Sequence, residues 1–138
     1  MKRTIIFVFA ALLACSFAIT SCGQSGDTTE VKTSKKDTPS NVMEKVLKLL
    51  KNKDYKAAIQ YSEGIAEASE DDVNGFIALV QAIYEANGGL AEYEILGEEI
   101  SEDGQSAKVK VKYTFGNGEA KDDTESLILT EKGWMMKM

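Results

Sequence analysis

Apolar positions along the chain change their spacing three times, and each change predicts a different element. From Ile5 to Ile19 they run almost unbroken. From Gly23 to Asp37 they all but vanish, with Val31 the single large apolar side chain. From Val42 they return at helical spacing: Val42, Met43, Val46, Leu47, Leu49 and Leu50 fall on one side, with Glu44, Lys45, Lys48 and Lys51 opposite. That spacing predicts an amphipathic helix ending near Asn52-Lys53. Thr38 is placed to cap its free amides, and Pro39 suits the first helical position, where no donor is needed. Asp54 is placed to cap a second, shorter helix, whose apolar face would be Tyr55, Ala57, Ala58, Ile59 and Tyr61. Gly64 weakens it, and the pattern stays ambiguous as far as Ala68. Ser69-Glu70-Asp71-Asp72 then reads as a helix start, because a hydroxyl and early carboxylates complement free amides. Val73, Phe76, Ile77, Val80, Ile83 and Tyr84 mark this third helix, and Asn87-Gly88-Gly89 ends it.

From Leu90 the period becomes two. Tyr93 and Ile95 alternate with Glu92 and Glu94 in a strand reaching about Ile100, and Asp103-Gly104 is a hairpin signal. Ala107, Val109, Val111, Tyr113 and Phe115 alternate with Lys108, Lys110, Lys112 and Thr114, the clearest strand in the chain. Gly116-Asn117-Gly118 turns it into a third strand, Thr124 to Thr130, and Glu131-Lys132-Gly133 leads into a fourth, Trp134 to Met138. Glu92, Glu94 and Glu125 are expected to balance the lysine row across a solvated sheet face. Helices first and a four-stranded antiparallel meander after them give an α+β fold, a curved sheet with helices on one face.

The opening run has its own chemistry. Lys2 and Arg3 precede the apolar stretch and Ile19-Thr20-Ser21-Cys22 follows it, the layout of a secretory signal peptide. Its 15 residues fall short of the ~20 that span a hydrocarbon core. The last four residues resemble the lipobox of bacterial lipoproteins. That resemblance implies cleavage before Cys22, a diacylglycerol on its thiol and acylation, palmitate included, of the new amine. Leu12-Leu13-Ala14-Cys15 fits the motif more loosely and would leave Phe17-Ala18-Ile19 as an apolar stub. The expected organisation is therefore residues 1–21 as a removed leader, residues 22–37 as a lipidated cysteine with a flexible tether, and residues 38–138 as one domain. Gly23 is not the aspartate that lipoproteins use for inner-membrane retention. The resemblance thus implies an outer-membrane anchor, and the lack of a dense acidic run after Cys22 favours the periplasmic face over the cell surface.

Composition narrows the chemistry. Loss of a leader that holds Lys2 and Arg3 takes the net charge from −6 to −8, which disfavours nucleic acid and anionic lipid headgroups. The chain has no histidine, and its cysteines are Cys15 and Cys22 alone. Catalytic triads, thiolate–imidazole pairs and the usual zinc sets therefore lack a required part. Ser69-Glu70-Asp71-Asp72 has no calcium-type loop after it, so neither a metal nor another cofactor is expected.

Thr38-Pro39-Ser40, the junction from Leu50 to Ala58 (Leu-Lys-Asn-Lys-Asp-Tyr-Lys-Ala-Ala), the strand Ala107 to Phe115 and the closing Gly133-Trp134 resemble a known set. They are similar to small bacterial lipoproteins with an uncharacterised domain of the nuclear-transport-factor-2-like (NTF2-like), cystatin-like type, DUF4878. The resemblance covers residues 38–138 and implies a sheet curled into a cone around a pocket. On that reading Tyr113, Val111, Val109, Tyr93, Leu129 and Trp134 are the pocket candidates, and the inward strand face carries one phenol and no acid. The expectation is a non-catalytic binding module for a small apolar ligand or an envelope protein. The rivals are a small isomerase- or dehydratase-like enzyme, with an Asp or Glu base and Tyr113 or Tyr93 as donor, and a structural subunit of an outer-membrane assembly. The oligomeric state stays open, a homodimer included.

Overall fold

The computed structural model describes residues 37–138. The leader, the Cys22 site and the tether as far as residue 36 lie outside the described residues. Helix α1 spans Pro39–Lys51, with the Thr38 side chain accepting from the Asn41 amide and Pro39 at its start. A second acceptor comes from far along the chain, since the Glu98 carboxylate takes the Ser40 amide at 2.6 Å. Lys48 and Lys51 sit in the last turn, where cations complement the helix dipole. Val42, Met43, Val46, Leu47 and Leu50 are all buried. Asp37 forms an ion pair with Lys45 at 2.6 Å, so contact with the domain already begins at this residue.

Helix α2 is short, Tyr55–Ile59, capped by Asp54. The chain after it is held by pairing with the sheet: the Met136 amide donates to Tyr61 O at 2.7 Å and the Glu63 amide to Met136 O at 2.9 Å. This non-local pairing settles a stretch whose own pattern was ambiguous. A single 3-10 turn, Ile65–Glu67, follows. Helix α3, Glu70–Ala86, starts on Ser69, whose hydroxyl accepts from the Asp72 amide.

Four strands follow, β1 Leu90–Ile100, β2 Ser106–Phe115, β3 Ala120–Thr130 and β4 Gly133–Met136. They form one antiparallel sheet in chain order. β3 begins four residues earlier than its pattern predicts. Lys121, Asp122 and Asp123 look like turn residues, yet they pair with Tyr113, Lys112 and Val111, because the ladder bonds backbone whatever the side chain. β4 stops at Met136, two residues short of the expected end.

Two register shifts interrupt β1. The second gives Leu96 no partner: Ile95 pairs with Val111, then Gly97 with Lys110 and Glu98 with Val109. A bulge of this kind moves every later side chain to the opposite face. It brings Glu98 to the helix side, where it meets the start of α1.

The core forms where α1 lies on the inner sheet face. Val42, Met43, Val46 and Leu47 meet Val109, Val111 and Leu127, with Tyr55, Tyr61 and Trp134 at the margins. The outer face carries the lysine row. Lys112 pairs with Glu94 and Asp122, and Lys108 with Glu99. Glu92 stands on the same face opposite Thr114 and reaches Lys51 at 3.3 Å. The third expected partner is elsewhere, since Glu125 pairs with Val109, on the inner face. Its position follows from strict alternation with Leu127 and Leu129, which outweighs the preference of a carboxylate for water once the strand is in register.

Candidate functional site

Helix α3 crosses the open end of the inner face without a single fully buried residue. Ile77, Val80 and Tyr84 touch the core only in part. Between this roof and the rest of the domain lies a cleft of about 150 Å³. Its walls are Met43, Val46 and Leu50 from α1, Ala58 and Ile59 from α2, and Phe76 and Val80 from α3. Met136 closes one side, and the polar side chains at its edge are Ser62, Tyr84, Tyr113 and Glu125. Apolar walls with a few placed polar groups are what a small-ligand site requires. The volume suits one small ring or a short chain, since cavities of ~150 Å³ accept benzene.

At the polar edge the Tyr113 hydroxyl donates to Glu125 Oε1 at 2.6 Å. Burial raises the Tyr113 pKa well above that of a free phenol, and the Glu125 charge and its hydrogen bond raise it further. Tyr84 is pushed up to about 12 by burial, then by Glu125, Tyr55 and Asp123. Both phenols therefore keep their protons at neutral pH, and Tyr113 donates its proton to Glu125. The rings continue in a chain: Tyr113 stacks on Phe115 with centroids 6.3 Å apart, Phe115 lies 6.0 Å from Tyr84, and Tyr84 6.2 Å from Tyr55. The Tyr55 hydroxyl is buried with no hydrogen-bond partner, and burial, then the charge of Glu85, raises its pKa.

The roof is fixed at one end. Gly88 O lies 2.2 Å from where a Cβ on Gly116 would stand, so the two backbones touch at a point only glycine permits. The Gly116 amide donates to Gly89 O at 2.9 Å and the Asn117 amide to Asn87 O at 3.0 Å. The C-terminal end of α3 is thus bonded to the β2–β3 turn.

Of the residues singled out from sequence, Tyr113 borders the cleft. Val109 and Val111 are fully buried in the core beneath it. Tyr93 packs against the core from β1, opposite Tyr113. Leu129 and Trp134 face each other across β3 and β4. The cleft walls come mostly from the helices. Glu125 corrects the expectation of an inner face without an acid, and its two-residue spacing from Leu127 was the signal that could have found it. Among the described residues, no group of three or more Asp, Glu, Cys or His side chains could hold a metal.

The sequence model for a domain of unknown function, DUF4878, matches residues 32–137. The chain belongs to the DUF4878 family. This DUF4878 domain shares its fold with a Campylobacter jejuni protein provisionally described as an NTF2-like transpeptidase. The two are 20% identical, with a TM-score of 0.56 over 74% of this chain and 99% of the other. RPA3114, a SEC-C motif containing protein from Rhodopseudomonas palustris, is 15% identical, with a TM-score of 0.51 over 73% of this chain and 76% of that one. At these identities the likeness is one of fold alone: the DUF4878 domain has an NTF2-like fold. No curated protein matches the sequence.

Proposed function

We propose that this DUF4878 chain is a non-catalytic binding module, anchored through a lipid on Cys22 to the periplasmic face of the outer membrane, that takes a small apolar ligand under α3. The cleft carries the reading, because its walls are apolar side chains and its roof is a helix with no fully buried residue. Ligand entry then needs only local opening of α3 while α1 and the sheet stay packed.

Two measurements test it. Cys22→Ala should abolish palmitate labelling and release the chain from membranes; retention of both would overturn the anchor. Benzyl alcohol should bind the full chain in lipid nanodiscs by calorimetry, and Val80→Trp, which fills the cleft from the roof, should remove that binding. Binding unchanged by Val80→Trp would place the ligand elsewhere.

A second reading, a pocket enzyme with Glu125 as base and Tyr113 as donor, is favoured by the hydrogen bond between them. The same bond works against it. Tyr113 spends its one proton on Glu125, and its raised pKa makes it a poor acid.

A further inference from the structure

We propose that the cleft takes a small organic cation, an ammonium on an apolar ring or short chain, with Glu125 as its counter-charge. The inference rests on the binding-module reading and names the class of ligand. An ionised carboxylate offers about four acceptor sites, and the hydrogen bond from Tyr113 is the one bond the Glu125 carboxylate accepts among the described residues. It has no cation within ion-pair distance among them either. Lys121, four residues away on the same strand face, is held by Asp123 at 2.6 Å and feels the Glu125 charge only as the smallest of its interactions. A half-buried charge beside apolar walls is costly while unpaired, so a cation arriving there relieves a cost that a neutral ligand leaves in place.

The surroundings select the same charge. Phe76, Tyr84 and Tyr113 border the cleft, and aromatic faces attract ammonium groups. Asp123 and Glu125 both act on Tyr84 and Tyr113; Lys121 offsets one of these two charges through its ion pair with Asp123, so the polar end is left with a net negative charge. An anion would meet that field unfavourably, and the chain's net charge of −6 draws cations towards it. The apolar walls of Met43, Val46, Ile59 and Val80 supply the other half of the specificity, and the volume of about 150 Å³ keeps the ligand small.

Three probes of one shape separate the ideas: benzylammonium, benzyl alcohol and benzoate, titrated by calorimetry into the full chain in zwitterionic nanodiscs. Benzylammonium should bind about ten-fold tighter than benzyl alcohol, the worth of one charge-assisted hydrogen bond over a neutral one, and benzoate weakest. Glu125→Gln keeps the shape and an acceptor for Tyr113. It should bring benzylammonium to the affinity of the alcohol while leaving the alcohol unchanged. Equal or tighter binding of benzyl alcohol in the unaltered chain would overturn the cation while leaving the apolar cleft intact. Absence of binding by all three, or binding untouched by Val80→Trp, would overturn the cleft itself. The comparison among probes in the unaltered chain needs no variant to fold.

Discussion

Helices α1 and α3 announce themselves in the same way, with a hydroxyl cap, apolar residues at helical spacing and a defined stop, yet the fold uses them for opposite purposes. Pro39, Val42, Met43, Val46, Leu47 and Leu50 of α1 are buried, and its first turn is held by Glu98 from a strand 58 residues away. In α3 none of the 17 residues is fully buried. Leu79 and Ile83 are 56% and 52% exposed, although Ile83 belongs to the apolar face that the pattern predicts. The difference lies in what each helix meets. α1 lies against Val109, Val111 and Leu127 and excludes water from both surfaces. α3 spans a gap, held by backbone contacts at its C-terminal end and by side chains that touch the core in part. A helix can be strongly specified as a helix and still be weakly held as a part of the fold, and that combination suits a roof over a cleft.

The sharpest way to break the contrast is to truncate each helix on its inward face. Leu47→Ala in α1 should cost about 3 kcal/mol in chemical denaturation, because the site is closed on all sides and leaves a cavity. Gly116→Ala should cost about 2 kcal/mol, since its Cβ cannot fit against Gly88 O. Its signature in hydrogen exchange should be faster exchange of the α3 amides ahead of those in α1. If all helices loosened together, α3 would be no separate unit.

Val80→Ala on the inner side of α3 should cost about 1 kcal/mol, and Leu79→Ala on its outer side should stay within about 0.5 kcal/mol. A loss at Leu79 equal to that at Leu47 would mean that α3 is a core helix after all. The last effect appears only at alkaline pH. Tyr84 titrates near 12 in the folded domain and near 10.0 when exposed. The folded chain therefore holds its proton more tightly than the unfolded one, and stability is full below about pH 10 and falls as pH rises towards 12. Tyr84→Phe should make that decline shallower in thermal melts between pH 9 and 12, Tyr113 and Tyr55 supplying what remains, while an unchanged decline would assign it wholly to other groups.

The sequence made the elements and their order legible for physical reasons that are local. Thr38-Pro39, Asp54 and Ser69 mark helix starts because cap chemistry acts within three residues. Val109, Val111 and Tyr113 share a face because a strand repeats every two. That same repeat placed Glu125 with Leu127 and Leu129 on the inner face, yet its charge pointed to the lysine row, and chemistry was weighed above geometry. The bulge at Leu96 was marked only by Gly97, an isolated glycine inside a strand pattern, and by the adjacent apolar pair Ile95-Leu96, and the bond from Ser40 to Glu98 was hidden.

By itself, then, the sequence determined the α+β class, the three helices before four strands, the inward face of β2 and the lack of histidine-based chemistry. These follow from periodicity, capping and composition, which need no partner surface. Only the tertiary structure decided that α1 is core and α3 is roof, that Tyr61–Glu63 is bound to β4, and that Glu125 meets Tyr113 beside an apolar cleft. Each of those depends on which surfaces oppose one another across long stretches of chain. Burial is a property of the pair of surfaces in contact, and a pattern along one strand or helix describes only one of them.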